Sequence, residues 1–214
     1  MIHKIEVERK FILDENNFDD LLDLSPIERF DIGRRKTFYR PYIYYDTPDL
    51  KLLDKGITLS ARLRENDCVL SYKLPKNSPE ERDEYQLSLL QNRLISLGSP
   101  LFITNKISRF LTNLYEAIGP VSLLGTLSMS VENTRMPIFN NGLYVLDLSV
   151  AKFKGENIFG RSNILYEAEV ELQEEGSIDD MLTFSQKIQK DYSLQQITSN
   201  KYQRMMDSLD KSGR

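Results

Sequence analysis

The chain has 214 residues, 40% hydrophobic and 28% charged, with a net charge of −4 at pH 7. These values are typical of a soluble globular protein with a sizeable core, and they exclude bulk electrostatic attraction to nucleic acid. One cysteine, Cys68, excludes an internal disulfide, while one histidine, His3, argues against Ser-His or Cys-His catalysis and a histidine-rich zinc site. No apolar run approaches the ~18 residues of a membrane span, and a signal peptide core is missing. We therefore expect a cytoplasmic protein with neither nucleic acid nor membrane as partner.

Strand patterns predominate in the first half of the chain. Residues 5–11, IEVERKF, alternate as a strand does, and residues 17–24, NFDDLLDL, predict a short amphipathic helix. The aromatic segment 36–47, KTFYRPYIYYDT, predicts one or two strands interrupted by Pro41. Two further strands, 56–66 and 68–75, are expected to form a hairpin about Asn66 and Asp67, and EYQLSLL follows as another strand.

Helical and strand patterns alternate in the second half. Residues 91–119 carry apolar side chains at helical spacing, and strands are predicted at 123–139, 142–153 and 164–172. The chain then ends in two helices, preceded by Ser177, which forms a capping-box pattern with Asp180, and by Ser199. Because no linker, repeat or change of composition occurs, we expect one domain over residues 1–214. Its predicted class is α+β, mostly β, with many antiparallel strands and helices packed outside.

Several predicted strands carry charge of one sign on one face. Alternate side chains of a strand point to the same side, so Glu6, Glu8 and Lys10 share a face. The same alternation groups the following residues: Arg62 with Arg64; Lys73 with Ser71; Asp147 with Val145 and Ser149; Glu167 with Glu169 and Glu171. For one strand, exposure to water is the simpler explanation. Like charges this close cost stability, however, and a sheet closed with these faces inward could hold divalent cations and a polyphosphate anion.

Eight segments of the chain resemble the CYTH superfamily, the triphosphate tunnel metalloenzymes, in content and order. They are EVERK, YYDTPDL, LSARLREN, VLSYKLP, TRMPIF, YVLDLS, YEAEVEL and SNKY. The branch that the chain resembles most contains thiamine triphosphatases and inorganic tripolyphosphatases. The resemblance implies a closed eight-stranded antiparallel β-barrel, the triphosphate tunnel, with flanking α-helices. It also implies hydrolysis or cyclisation of small-molecule triphosphates with one or two Mg²⁺ or Mn²⁺ ions.

The resemblance also implies roles for individual residues. The expected metal-binding carboxylates are Glu6, Glu8, Asp147, Glu169 and Glu171, with Glu84 as a further acidic position. The expected phosphate-binding residues are Lys10, Arg62, Arg64, Lys73, Arg135 and Lys201. Tyr44 and Lys73 are the expected catalytic residues that help to activate water. A lysine crowded by arginines has a depressed pKa and can act as a base, so we predict a depressed pKa for Lys73.

One departure from the thiamine triphosphatases concerns the substrate. Those proteins carry a tryptophan shortly before the arginine pair, whereas this chain has Ser60 there and contains no tryptophan. The difference favours inorganic tripolyphosphate, although Phe38, Tyr39 or Tyr42 could supply another aromatic platform. A class IV-type adenylate cyclase and a non-catalytic polyphosphate-binding tunnel stay open as alternatives. The sequence does not indicate the preferred metal or whether the protein is a monomer or a homodimer.

Overall fold

Alternating strands supply the central sheet of this protein, whose computed structural model describes residues 1–78, 80–90 and 95–211. The strands are β1 (Ile2–Leu13), β2 (Phe30–Ile32), β3 (Lys36–Asp46), β4 (Thr58–Leu63), β5 (Cys68–Pro75), β6 (Glu81–Leu89), β7 (Leu124–Asn140), β8 (Leu143–Asn157), β9 (Ser162–Leu172) and β10 (Gln195–Ile197). The helices are α1 (Glu15–Leu22), α2 (Lys51–Asp54), α3 (Asn105–Phe110), α4 (Thr112–Ile118), α5 (Ile178–Asp191) and α6 (Lys201–Lys211).

Eight of the strands close into an antiparallel barrel in the order β1-β6-β5-β4-β3-β7-β8-β9. The closing contact joins the first strand to the ninth, with Lys10 opposite Glu169. β10 adds to β1 and the short β2 adds to β7, outside the ring of eight. The predicted closed eight-stranded barrel with flanking helices is therefore confirmed.

Local sequence signals place several of the connections correctly. The β4–β5 hairpin closes where the Arg64 N–H donates to the Asp67 carbonyl oxygen at 2.9 Å. The β7–β8 turn holds Asn141 at φ 50° and Gly142 at φ 79°, the left-handed geometry that suits a two-residue hairpin. At the start of α5, the side chains of Ser177 and Asp180 each accept a hydrogen bond from the other residue's backbone N–H, as the capping-box pattern predicts.

The structure differs from the sequence prediction at Pro41 and within the segment 91–119. Pro41 does not interrupt β3. Because β4 pairs only with residues 42–45, β3 makes no hydrogen bonds to β4 at the proline, which has no N–H to donate. Within the segment 91–119, helix is present at 105–110 and 112–118, whereas residues 95–104 are irregular. Residues 91–94 of that prediction lie outside the described residues.

Most helices cover the outer surface of the barrel. α1 and α5 pack on β1, β7, β8 and β9 through a cluster that includes Phe11 and Phe184, and α2, α3 and α4 pack on the opposite side around Tyr72 and Phe110. Cys68 at the start of β5 is fully buried. In the described part of the chain, no helix combines the length and hydropathy that crossing a membrane would require.

The last helix, α6, instead packs against the inner face of the barrel. Its Tyr202 and Met205 cluster with Phe153 and with Val131, a side chain that lines the central cavity. A Cβ atom at Gly155 would lie 2.5 Å from Met205 Cγ, so the helix approaches β8 closely where glycine leaves room. The expectation that the helices all pack outside is wrong for α6, which closes one end of the barrel. Both methionines of α6, Met205 and Met206, pack on the barrel strands.

Candidate active site

Inward-pointing side chains surround a cavity of about 150 Å³ inside the barrel. Its charged lining residues are Lys10, Arg40, Arg62, Lys73, Arg82, Glu84, Glu169 and Lys201. Six of these eight are cations, although the whole protein has a net charge of −4. Low-dielectric walls strengthen the field of such a cluster, so the cavity is suited to a compact polyanion.

A row of carboxylates crosses three neighbouring strands on one wall of the barrel. Glu8 on β1 lies opposite Glu171 on β9, and Glu171 lies opposite Asp147 on β8. Like charges in directly opposed positions destabilise a sheet unless cations separate them. Each of the three carboxylates has a cationic partner. Glu8 pairs with Lys10, Glu171 with Lys4, and Asp147 with Arg135.

Glu6 and Glu8 are neighbouring carboxylates on the inner face of β1, and each is only 7% exposed. Glu6 pairs with Lys73 on one oxygen, and its other oxygen lies 3.0 Å from Lys4 Nζ. Burial alone would raise the pKa of Glu6, but Lys73 and Lys4 outweigh it and hold the pKa at about 2. Both carboxylates are therefore ionised at neutral pH, and ammonium groups separate them.

The carboxylate wall fits a divalent metal by its chemistry. The set of predicted ligands, Glu6, Glu8, Asp147, Glu169 and Glu171, offers only oxygen donors, which Mg²⁺ and Mn²⁺ prefer. Across residues 1–78, 80–90 and 95–211, no three Asp, Glu, His or Cys side chains converge closely enough to hold an ion while the lysines and arginines pair with them. Metal binding therefore requires the lysine and arginine side chains to release the carboxylate oxygens with which they pair.

Glu169 links the first strand to the last helix at the floor of the cavity. Its carboxylate lies 2.6 Å from Lys201 Nζ on α6 and 3.6 Å from Lys10 Nζ on β1. The neighbouring Glu167 is fully buried, lies 3.3 Å from Lys201 Nζ and also pairs with Arg204. Together the two glutamates fix α6 by charge in the end of the barrel.

A hydrogen-bonded network supports the same floor from β3. The Asp46 carboxylate accepts hydrogen bonds from the backbone N–H groups of Thr47, Leu52 and Leu53 at 2.7–3.0 Å. It also accepts a bond of 3.1 Å from the Tyr202 hydroxyl, and the Tyr202 ring stacks on Tyr44 with a centroid distance of 5.3 Å. The tyrosine predicted as catalytic is thus positioned by the residue that follows Lys201.

Comparison with known proteins identifies the family. The CYTH domain model matches residues 4–206. The chain belongs to the CYTH domain family. No curated protein matches it. Because the match covers residues 4–206, the single domain over residues 1–214 stays a prediction.

Solved structures resemble this CYTH domain at low sequence identity. A proposed adenylate cyclase from Bacillus halodurans is 21% identical with a TM-score of 0.63, and the alignment covers 95% of this chain and 98% of that one. A proposed adenylyl cyclase from Hippeastrum, described as having a dominant triphosphatase activity, is 17% identical with a TM-score of 0.49, covering 98% and 96%. At 21% identity, the similarity to the Bacillus halodurans protein shows a shared fold and nothing about activity.

The structure brings most of the predicted CYTH-domain site residues onto the inner face of the barrel. Arg64 is an exception, because β4 ends at Leu63 and places Arg64 at the rim, with its side chain 52% exposed and Nη1 3.6 Å from Asp67. Arg135 and Asp147 pair with each other, and neither they nor Glu6, Glu8 and Glu171 are among the described lining residues of the cavity. The lining does include the predicted residues Lys10, Tyr44, Arg62, Lys73, Glu84, Glu169 and Lys201.

The predicted depression of the Lys73 pKa is wrong. Burial by itself would lower this pKa, but Glu8, Glu6, Glu84 and Glu169 surround the ammonium group and raise its pKa well above the ordinary value. The neighbours of Lys73 are thus carboxylates and not arginines. The catalytic role of Lys73 stays a prediction, and so does that of Tyr44, whose pKa burial raises.

Sequence reasoning missed several charged residues of the CYTH domain site. Lys4, Arg40 and Arg82 follow the same alternation as Glu6, Tyr42 and Glu84, so the period of two was a usable signal for each. Arg204 lies one helical turn after Lys201, which places both on one side of α6. What the sequence lacked was a sign that this helix faces the barrel interior.

Glu167 predicts an unusual pH dependence of stability. Burial, with Glu169 nearby, raises its pKa from 4.5 to about 7 despite Lys201 and Arg204. Between these values the folded chain holds a proton that the unfolded chain has released, so this group's contribution to the unfolding free energy falls as pH rises from about 4.5 to about 7. We therefore expect the unfolding free energy, measured with urea, to fall more between pH 5 and pH 8 in wild type than in Glu167→Gln. Equal losses in the two proteins would contradict the raised pKa.

Proposed function

We propose that the protein is a metal-dependent triphosphatase that hydrolyses phosphoanhydride bonds of inorganic tripolyphosphate, with thiamine triphosphate as a further substrate. The observation that carries this proposal is the cavity lining, which holds six cations and two glutamates, with two of its lysines, Lys10 and Lys73, pairing with Glu8 and Glu6 of β1. Phosphoryl transfer depends mainly on positioning and charge neutralisation, and both can come from such a lining. No histidine is needed.

The cations of the lining would bind the phosphate chain. Lys10, Lys73 and Lys201 approach the cavity from β1, β5 and α6, so they can contact phosphate oxygens from several directions. Arg62 extends from β4, and its Nε is buried with no hydrogen-bond partner among the described residues, which suits a guanidinium that awaits an anion. α6 closes the end beneath them and excludes water from that side.

A divalent metal would be held by Glu6, Glu8, Asp147, Glu169 and Glu171. When bound, Mg²⁺ or Mn²⁺ neutralises phosphate charge and lowers the pKa of a coordinated water. Tyr44 presents a neutral hydroxyl to the cavity at physiological pH, because burial raises its pKa. It can therefore donate a hydrogen bond to a phosphate or position a water.

The aromatic side chains near the cavity support an inorganic substrate. Of the three residues considered as a substitute platform, Tyr39 is 75% exposed with its hydroxyl 3.3 Å from Glu132, and Phe38 is covered by the Arg40 guanidinium at 4.5 Å. Only Tyr42 of the three lines the cavity. Arg40 lines it as well, and its positive charge disfavours the cationic ring of thiamine at this position.

The test is phosphate release by the purified protein from tripolyphosphate, thiamine triphosphate and ATP, with Mg²⁺, Mn²⁺ or EDTA. We expect metal-dependent release that is fastest from tripolyphosphate and absent with EDTA. Formation of cyclic AMP from ATP without phosphate release from tripolyphosphate would instead indicate a cyclase. Tight binding of tripolyphosphate without turnover of any substrate would indicate a binding tunnel.

A further inference from the structure

The ammonium group of Lys4 lies among three carboxylates from three strands. Its Nζ is 3.0 Å from Glu6 Oε1 on β1, 3.2 Å from Glu171 Oε1 on β9 and 3.3 Å from Glu84 Oε2 on β6. The Lys4 side chain is nevertheless 43% exposed. It therefore reaches the carboxylate wall from solvent and is not fixed there by burial.

Lys4 differs in position from the other lysines that pair with the predicted metal ligands. Lys10, Lys73 and Lys201 also line the cavity, where they can contact a phosphate chain. Lys4 is not among the described lining residues, and its ion pairs join it to Glu6, Glu84 and Glu171. A role in gripping substrate does not explain its place on the inner face of β1.

A divalent ion would require the oxygens that Lys4 holds. Magnesium binds carboxylate oxygen at about 2.0–2.1 Å and demands near-octahedral geometry. An ammonium group 3.0–3.2 Å from oxygens of Glu6 and Glu171 occupies the same space between those groups. The two cations also repel each other, so they compete for the same oxygens.

We propose that Lys4 is a tethered counter-ion that holds the carboxylate wall when metal is absent and is displaced when a divalent ion binds. This inference rests on the metal dependence in the proposed function. Lys4 thereby sets the affinity of the protein for metal: it stabilises the metal-free fold and weakens metal binding. Its exposed stem lets the ammonium group move into water without rearranging the strand.

The inference is tested by Mn²⁺ titration of Lys4→Met without substrate, following the electron paramagnetic resonance signal of free Mn²⁺. Removing one competing charge at this distance should lower the Kd for Mn²⁺ by about ten-fold. The matched control is Lys154→Met, which removes the same charge from an exposed position on β8 and should leave the Kd unchanged. Lys4→Arg, which keeps the charge, should bind Mn²⁺ no more tightly than wild type.

Thermal unfolding separates competition from an ordinary structural ion pair. Without metal, Lys4→Met should have a lower Tm than wild type, and saturating Mn²⁺ should remove the difference. A Tm deficit that persists unchanged in Mn²⁺, or a Kd equal to or above the wild-type Kd, would overturn the inference. So would failure of both proteins to bind Mn²⁺. Tighter binding by Lys4→Met with no hydrolysis of any triphosphate would support the inference while the proposed function fails.

Discussion

Glu169→Gln should reduce metal-dependent phosphate release from tripolyphosphate by about 10²–10³-fold, the usual effect of losing one preorganised charge contact in a closed site. Glu169 lines the cavity, pairs with both Lys10 and Lys201, and belongs to the proposed metal ligands. A neutral amide removes the charge that orients both ammonium groups. The measurement is the steady-state rate with Mg²⁺ and with Mn²⁺, and the loss should fall on kcat.

Glu156→Gln is the control for this substitution. Glu156 is exposed on β8, so the chemical change is identical while the barrel interior is untouched. Its rate should match wild type. Unfolding curves of both variants show whether the fold persists, and a folded Glu169→Gln protein as active as the control would refute the assignment of Glu169.

Arg204→Met should lower the unfolding free energy at pH 8 by about 3 kcal/mol, the cost of breaking a buried ion pair from one side. Glu167 is fully buried, and Arg204 supplies one of its two cationic partners. Because the pKa of Glu167 is about 7, the carboxylate is mostly ionised at pH 8 and loses that compensation. Urea unfolding at equilibrium measures the difference.

Two comparisons test the cause of this loss. Arg161→Met, at an exposed position, makes the same chemical change and should cost little. The double variant Glu167→Gln with Arg204→Met should recover part of the stability, and the single variant should lose less at pH 5, where Glu167 is protonated. A loss that is the same at both pH values and is not reduced in the double variant would point to lost packing of the arginine stem.

Strand alternation was sufficient to predict much of the site. Glu6, Glu8 and Lys10 were placed on one face, and all three are buried inside the barrel. The pKa of Lys73 could not be predicted in the same way, because it depends on cross-strand neighbours such as Glu84, which lies directly opposite. Register between two strands depends on the patterns of both strands and on the turn that connects them, not on either strand alone.

The position of α6 could not be predicted either. An amphipathic helix has the same pattern whether its apolar side meets the outer or the inner face of a sheet. What distinguishes the two cases lies on β8, where Gly155 gives Met205 room to approach. The predicted inward position of Arg64 was wrong for a different reason: the alternation pattern continues beyond Leu63, although the strand ends there.

The meeting of Lys10 and Lys201 at Glu169 has a consequence for folding. These side chains come from the first strand, the last helix and β9, so the proposed anion site needs contacts between distant parts of the chain. Local hairpins such as β4–β5 can form early, whereas the β1–β9 seam and the entry of α6 carry a large loop-closure cost and form slowly. A folding intermediate made only of hairpins would lack the proposed phosphate site. If the proposed function holds, polyphosphate added during refolding should stabilise the finished barrel by mass action and leave such intermediates unaffected.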